Sequence, residues 1–127
     1  MRNLNTSIED GAYSLYAAVT LVGQDISTTI YGGDKPHIGA AAISVPRPSL
    51  SDKTVLSSST SVYCVTGHKE DEIAKVAAGR LSAEFGCVAN VCVGIHIDFA
   101  SASDIKRLTD NFGTLLEMLI EQLHQIH

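Results

Sequence analysis

Cysteine is scarce and unpatterned in this chain: Cys64, Cys87 and Cys92 make an odd number, with no CxxC pair and no zinc-ligand spacing. A disulfide framework and a zinc knuckle are therefore excluded, and the three are expected to be reduced core residues of a cytoplasmic protein. Long apolar runs are missing too. Nothing approaches the ~20 residues that span a bilayer, and no basic segment precedes a short apolar one, so the chain reads as soluble, neither exported nor anchored. Basic residues are few and scattered, nine against fourteen acidic ones, for a net charge of −5. That argues against a nucleic-acid footprint and for a small-molecule or protein partner. GxGxxG, GxxxxGK[ST], HExxH and GxSxG do not occur, which removes the common nucleotide-binding and hydrolase fingerprints. With 127 residues the chain forms one domain, 1–127, whose ends at 1–10 and 124–127 are expected to fray.

All three prolines fall in one stretch, "YGGDKPHIGAAAISVPRPS", residues 31–49. Around it the periodicities are those of a small α+β domain. Residues 13–22 and 26–31 form a hairpin about "GQD", a third strand covers about 37–45 before Pro46 and Pro48 end it, and the Ser-rich segment 49–59 is a polar loop. A fourth strand, 60–66, leads into a helix with an acidic first turn, Glu70 to Glu72, and an apolar stripe of Ile73, Ala77, Leu81 and Phe85. "CVANVCVGIHID" alternates with period two, placing Ala89, Val91, Val93, Ile95 and Ile97 on a core face and Asn90, Cys92, Gly94, His96 and Asp98 on the other. Ile105, Leu108, Phe112, Leu115, Leu119 and Leu123 mark a last helix, opened by a Ser101/Asp104 capping box. The order β-β-β-β-α-β-α predicts a two-layer fold: a mixed, mainly antiparallel sheet of about five strands with both helices on one face. Its other face, rich in small residues, is either solvated or covered by a second copy, which predicts a homodimer or higher oligomer.

Few residues carry chemistry. Three interior histidines, His37, His68 and His96, sit at strand ends, where each is either a structural hydrogen-bonding residue or a ligand contact; together they are weak candidates for a metal site. Gly32, Gly33 and Gly39 allow positive φ or close backbone approach, and the alanines after them leave room, so the segment is either a tight turn or the wall of a cleft. Lys69 lies at a strand-to-helix turn whose acidic neighbours oppose phosphate binding. A histidine pair with Asp98 or Glu70 would alternatively serve a small acid–base enzyme.

The segments "GGDKPHIGAAAISVPRPS", "GHKEDEIAKVAA" and "VGIHID" resemble the LpdD-like prenylated-flavin chaperone family, the small D subunit associated with UbiD-type decarboxylases such as gallate and 4-hydroxybenzoate decarboxylase. The likeness runs from Gly11 to Leu123. It implies a non-catalytic accessory protein that binds prenylated FMN, made by a separate flavin prenyltransferase, and delivers it to the decarboxylase large subunit. For such a role, the motifs themselves suggest that Gly32 and Gly33 would approach the polar edge of the ring, and Ile38 or Tyr31 would touch it. Gly39 to Ala42 would floor the cleft, Arg47 or Lys69 would meet the phosphate, and His37 and His96 would bond the ring edge or, with His68, hold a divalent metal. With no tryptophan and few other aromatics, the chain would hold the ring mainly between aliphatic and backbone surfaces. The competing expectations are a purely structural subunit and a small His-dependent lyase.

Overall fold

The computed structural model describes residues 2–65 and 70–127. Six strands, β1 (Arg2–Ile8), β2 (Leu15–Val22), β3 (Asp25–Gly33), β4 (Ala40–Pro48), β5 (Leu56–Cys64) and β6 (Ala89–His96), form one mixed sheet in the order β1-β2-β3-β6-β4-β5. Two helices, α1 (Glu70–Phe85) and α2 (Ala102–Ile126), follow β5 and β6. Only β3 and β6 pair in parallel; every other neighbouring pair is antiparallel. Because β4 lies between β5 and β6 and opposes both, those two run parallel, and α1 is the crossover between them.

One face of the sheet carries the core. Leu15, Ala17, Val19 and Leu21 of β2 stand beside Ile26, Thr28 and Ile30 of β3, then Ala89, Val91 and Val93 of β6, then Ala40 and Ala42 of β4, all buried. Both helices bury their apolar stripes on this face. α2 supplies Phe112, Leu115, Leu116, Leu119, Ile120 and Leu123 over the β1–β2 side, and α1 supplies Ala74, Ala77, Ala78 and Leu81 over β4, β5 and β6. Alanine on both α1 and β4 lets helix and strand approach closely, which explains why "GAAA" serves as a strand. The Ser101/Asp104 capping box forms as the sequence predicts.

Four expectations are corrected. The sheet has six strands, because residues 2–8, expected to fray, pair with β2 from Leu15 to Leu21 and pack Leu4 and Ile8 against the core. The C-terminus is ordered as well: α2 continues to Ile126, His124 meets Glu84 at 2.8 Å, and His127 meets the Gln24 carbonyl at 2.9 Å. Pro46 and Pro48 do not end β4. Pairing with β6 stops at Ser44, so a missing N–H on that side costs no ladder bond, and β5 accompanies β4 to Pro48. The start of β5 consequently falls inside the segment expected to be loop. Of the three cysteines only Cys87 is a core residue, where burial pushes its thiol pKa up; Cys92 is half-buried and Cys64 exposed.

The link between β1 and β2 is tied to α2 by a polar network. Arg107 donates twice to Asp10, at 2.6 and 2.8 Å, Asn111 donates to Asp10 and to the Tyr13 carbonyl, and Tyr13 donates to Asp104 at 2.6 Å. Arg107, then Asn111, hold the Asp10 pKa below the usual carboxylate range, and Tyr13 with Ser101 does the same for Asp104. A carboxylate with a depressed folded pKa stabilises above its unfolded pKa of about 4 and loses that contribution as pH falls through the folded value. The thermal midpoint is therefore expected to drop as pH is lowered below about 4. Scanning calorimetry of Asp10→Asn should show a lower midpoint at pH 7 and a weaker dependence on acid than the parent chain.

Candidate functional site

The face opposite the helices is uncovered, and strand register orders its residues into rows. Ala18, Thr29, Cys92, Ala41 and Tyr63 lie side by side across β2, β3, β6, β4 and β5. The next row is Thr20, Ser27, Asn90, Ile43 and Ser61. Small side chains in the middle with larger ones beyond make a shallow trough of about 430 Å³, with Ala41 and Cys92 as floor and Ile43 and Tyr63 as walls. Tyr63 is 73% exposed, a large aromatic surface left in water. On the far side Tyr16 and Tyr31 stack at 5.5 Å.

The histidines gather at the C-terminal end of β6, the strand that lends Asn90 and Cys92 to the trough. Parallel pairing sets Gly33 beside His96, so the chain leaves both strands at the same end of the sheet. Gly33 turns there with φ 77, its Cα against the His96 carbonyl, where any side chain would collide. The returning segment lays His37 across Gly94, which has no Cβ to obstruct it. His37 is then held from two sides. Its Nδ1 lies 2.9 Å from the Lys35 carbonyl and its Nε2 lies 3.2 Å from Oε1 of Glu70, a residue only 6% exposed. The other carboxylate oxygen of Glu70 presses on Gly39 and has no hydrogen-bond partner among the described residues. A nitrogen facing a carbonyl must donate, so Nδ1 carries hydrogen; the Nε2–carboxylate contact then needs one proton between ring and carboxyl. His96 stands 6.2 Å from His37, ring edge to ring face, with Nε2 3.0 Å from Asp98. His96 first, then Lys35, holds the Asp98 pKa low. Beyond Asp98, Phe99 projects into solvent with a left-handed φ of 55.

The structure brings together His37, Ile38, Gly39, Gly33 and His96 as the sequence suggests, but assigns the glycines differently. Gly32 is closed by Ser14 and Leu15 on the core side, and Gly33, Gly39 and Gly94 accommodate the protein's own backbone and carboxylate. Arg47 is on the open face but far down β4: at ~3.3 Å per residue it sits roughly 20 Å from Ala41. There it donates to Ser59 at 2.8 Å and to the Pro48 carbonyl. His68 and Lys69 lie outside the described residues, and among those described no three His, Cys, Asp or Glu side chains form a group able to hold a metal. The wall residues Ile43 and Tyr63, the floor residue Cys92 as a contact, and Lys35 were missed. Only the alternation of "SSSTSVY", had it been read as a strand from Leu56, would have put Tyr63 on this face. Replacing Gly94 by Ala is expected to push the 34–39 segment off β6. The His37 and His96 imidazole signals should shift in NMR spectra, and urea unfolding should show a loss of about 2 kcal/mol or more.

The model of the family described as the prenylated flavin chaperone LpdD-like domain matches residues 9–124. Among solved structures, a chain of a novel chaperone complex for yeast 20S proteasome assembly is similar with a TM-score of 0.62, over 98% of this chain and 95% of that one. At 15% identity that likeness is one of fold alone. A comparison with curated proteins finds no significant match. No helix among the described residues is long and apolar enough to cross a membrane.

Proposed function

The chain belongs to the prenylated flavin chaperone LpdD-like family, and from that premise we propose that it binds prenylated FMN on the open face of its sheet and passes it to a UbiD-type hydroxyarylic acid decarboxylase. The observation that carries this reading is the trough itself. Its small floor, Ala41 and Cys92, and its apolar walls, Ile43 and Tyr63, fit a flat, mainly apolar ring better than a compact polar substrate. The bound group would bring the reactive chemistry, used in the decarboxylase. This chain's own residues shield the ring from water and would hold its polar edge through His96, with His37, bound to Lys35 and Glu70, as its neighbour. Ile38, exposed at the same end, is a further apolar contact. The phosphate would be met by Arg47 at one end of the open face or by Lys35 or Lys69 at the other. A divalent metal held with the phosphate, for which the sequence suggests His37, His68 and His96, would have to draw on His68 and His96, since both ring nitrogens of His37 are engaged. So do self-association and work in the cytoplasm beside the flavin prenyltransferase and the decarboxylase large subunit.

A His-dependent lyase is the second reading, favoured by the His96–Asp98 pair. Against it, both ring nitrogens of His37 are committed inside the protein, Nδ1 to Lys35 and Nε2 to Glu70, so His37 is poorly placed to move a substrate proton. Anaerobic purification after co-expression with a flavin prenyltransferase, followed by absorbance spectra and native mass spectrometry, tests the proposal. Prenylated FMN should be retained at a fixed ratio per chain, and Ala41→Trp, which fills the trough from a half-exposed position, should weaken retention at least tenfold. A colourless protein without flavin mass would sink the reading.

A further inference from the structure

We infer that Arg47, with the hydroxyls of Ser59 and Ser61 beside it, takes a phosphomonoester: the phosphate of the group bound in the trough. The inference deepens the cofactor reading of this face and rests on it for the identity of the ligand. Among the strand residues on the open face, Arg47 is the one Lys or Arg and Asp25 the one carboxylate. Its charge is not spent inside the protein. Arg80 and Arg107 pair with Glu117 and Asp10, whereas Arg47 forms no ion pair among the described residues. It donates only to neutral oxygens, from Nε to Ser59 Oγ at 2.8 Å and from Nη1 to the Pro48 carbonyl at 3.1 Å, which leaves most of its N–H groups for a ligand. Pro46 and Pro48 fix φ on either side of it and hold Val45 and Arg47 extended, so the fork is set before any ligand arrives.

The side chain also reaches the right place. Arg47 is the register partner of Ser57, but its Nε bonds Ser59, the partner of Val45, so the guanidinium leans back toward the trough by one same-face step. Ser61, the next residue on that face, lines the trough itself, and from the Ile43–Ser61 wall to Ser59 is about 7 Å of strand. A ring on Ala41 and Cys92 leads through its ribityl chain, past Ser61, to a phosphate at Ser59 and Arg47. Ser59 Oγ accepts from Arg47, so its own proton is left to donate to a phosphate oxygen, beside a two-pronged contact from the guanidinium. The opposite end of the face is less suited to an anion. Lys35 is tied there to Asp98 at 3.2 Å, and Asp34, Asp98 and Glu70 bring three carboxylates to that end. The charges nearest Arg47 in sequence are Asp52 and Lys53, one of each sign. With the phosphate at Arg47, the histidine end is left to the polar edge of the ring.

Two assays on the full chain test this. In the first, each variant is co-expressed with a flavin prenyltransferase and purified anaerobically, and retained prenylated FMN is read by native mass spectrometry. Arg47→Met keeps the stem, drops the charge and should lower retention at least tenfold. Arg47→Lys should fall between it and the parent, because an ammonium cannot make the two-pronged contact. Lys106→Met removes one charge from an exposed pair on α2 and should match the parent. Both bonds made by Arg47 are solvent-exposed, so its variants should keep the fold. In the second assay, pentyl phosphate is titrated into the parent chain and followed by NMR. The Arg47 Nε–H and the Ser59 and Ser61 amides should shift, and sodium chloride at the same ionic strength should leave them in place. Parent-like retention in Arg47→Met, an equal fall in Lys106→Met, or chloride shifts matching those of pentyl phosphate would overturn the inference. The second assay needs no flavin: a parent chain that retains none yet shows the pentyl phosphate shifts loses the cofactor reading and keeps the phosphate site, and one that shows neither loses both.

Discussion

The parallel ladder between β3 and β6 is the contact on which the rest of the molecule hangs. It joins the N-terminal three-strand meander to the C-terminal half, and it is the only parallel neighbour pair in the sheet. Antiparallel neighbours send their chains out at opposite ends; a parallel pair sends both out together. Segment 34–39 and the turn after His96 are thereby forced to share one end of the sheet, and Asp34 N–H reaches the His96 carbonyl at 2.6 Å. Asp98 completes the arrangement, accepting from Lys35 and from its own strand's histidine. A histidine pair drawn from residues 59 positions apart is thus a product of strand topology, not of any local motif.

How much of this was legible depended on whether the signal was local. The alternation of "CVANVCVGIHID" identifies β6 and its core face because Ala89, Val91 and Val93 are buried on the helix side only, and the 3.6-residue spacing of α2 works because its stripe covers half the sheet. β1 offers no such pattern: of "RNLNTSI" only Leu4 and Ile8 meet the core, and the strand exists because β2 supplies its hydrogen bonds. Proline as a stop signal failed at Pro46 for a related reason. Whether a missing N–H matters depends on what lies on that side of the strand, and there β6 has already ended. The Glu70–His37 contact was equally hidden, since nothing in the acidic first turn of α1 says that one of three carboxylates folds inward against a glycine.

The glycine-rich stretch and the trough illustrate two different uses of small residues. Gly33, Gly39 and Gly94 are bare because another part of the same chain occupies the space a Cβ would need: a carbonyl, a carboxylate, the backbone at His37. Room for something foreign comes instead from Ala41 and Cys92, whose neighbours stand back from them. Bareness alone does not mark a ligand wall.

On the proposed reading, that division would let binding and release coexist in one small domain. The glycine contacts are rigid, backbone on backbone, and fix the histidines at one end of the open face. The trough is shallow and lined by side chains of low rotamer cost, so a ring lying on it loses water on one side and gives up little protein entropy when it leaves. Tight retention would call for an enclosed, aromatic-lined cavity, and a chain without tryptophan has little material for one. A carrier must hold its cargo less firmly than the enzyme it supplies, and on the proposed reading an open sheet face edged by two histidines would meet that requirement by its shape.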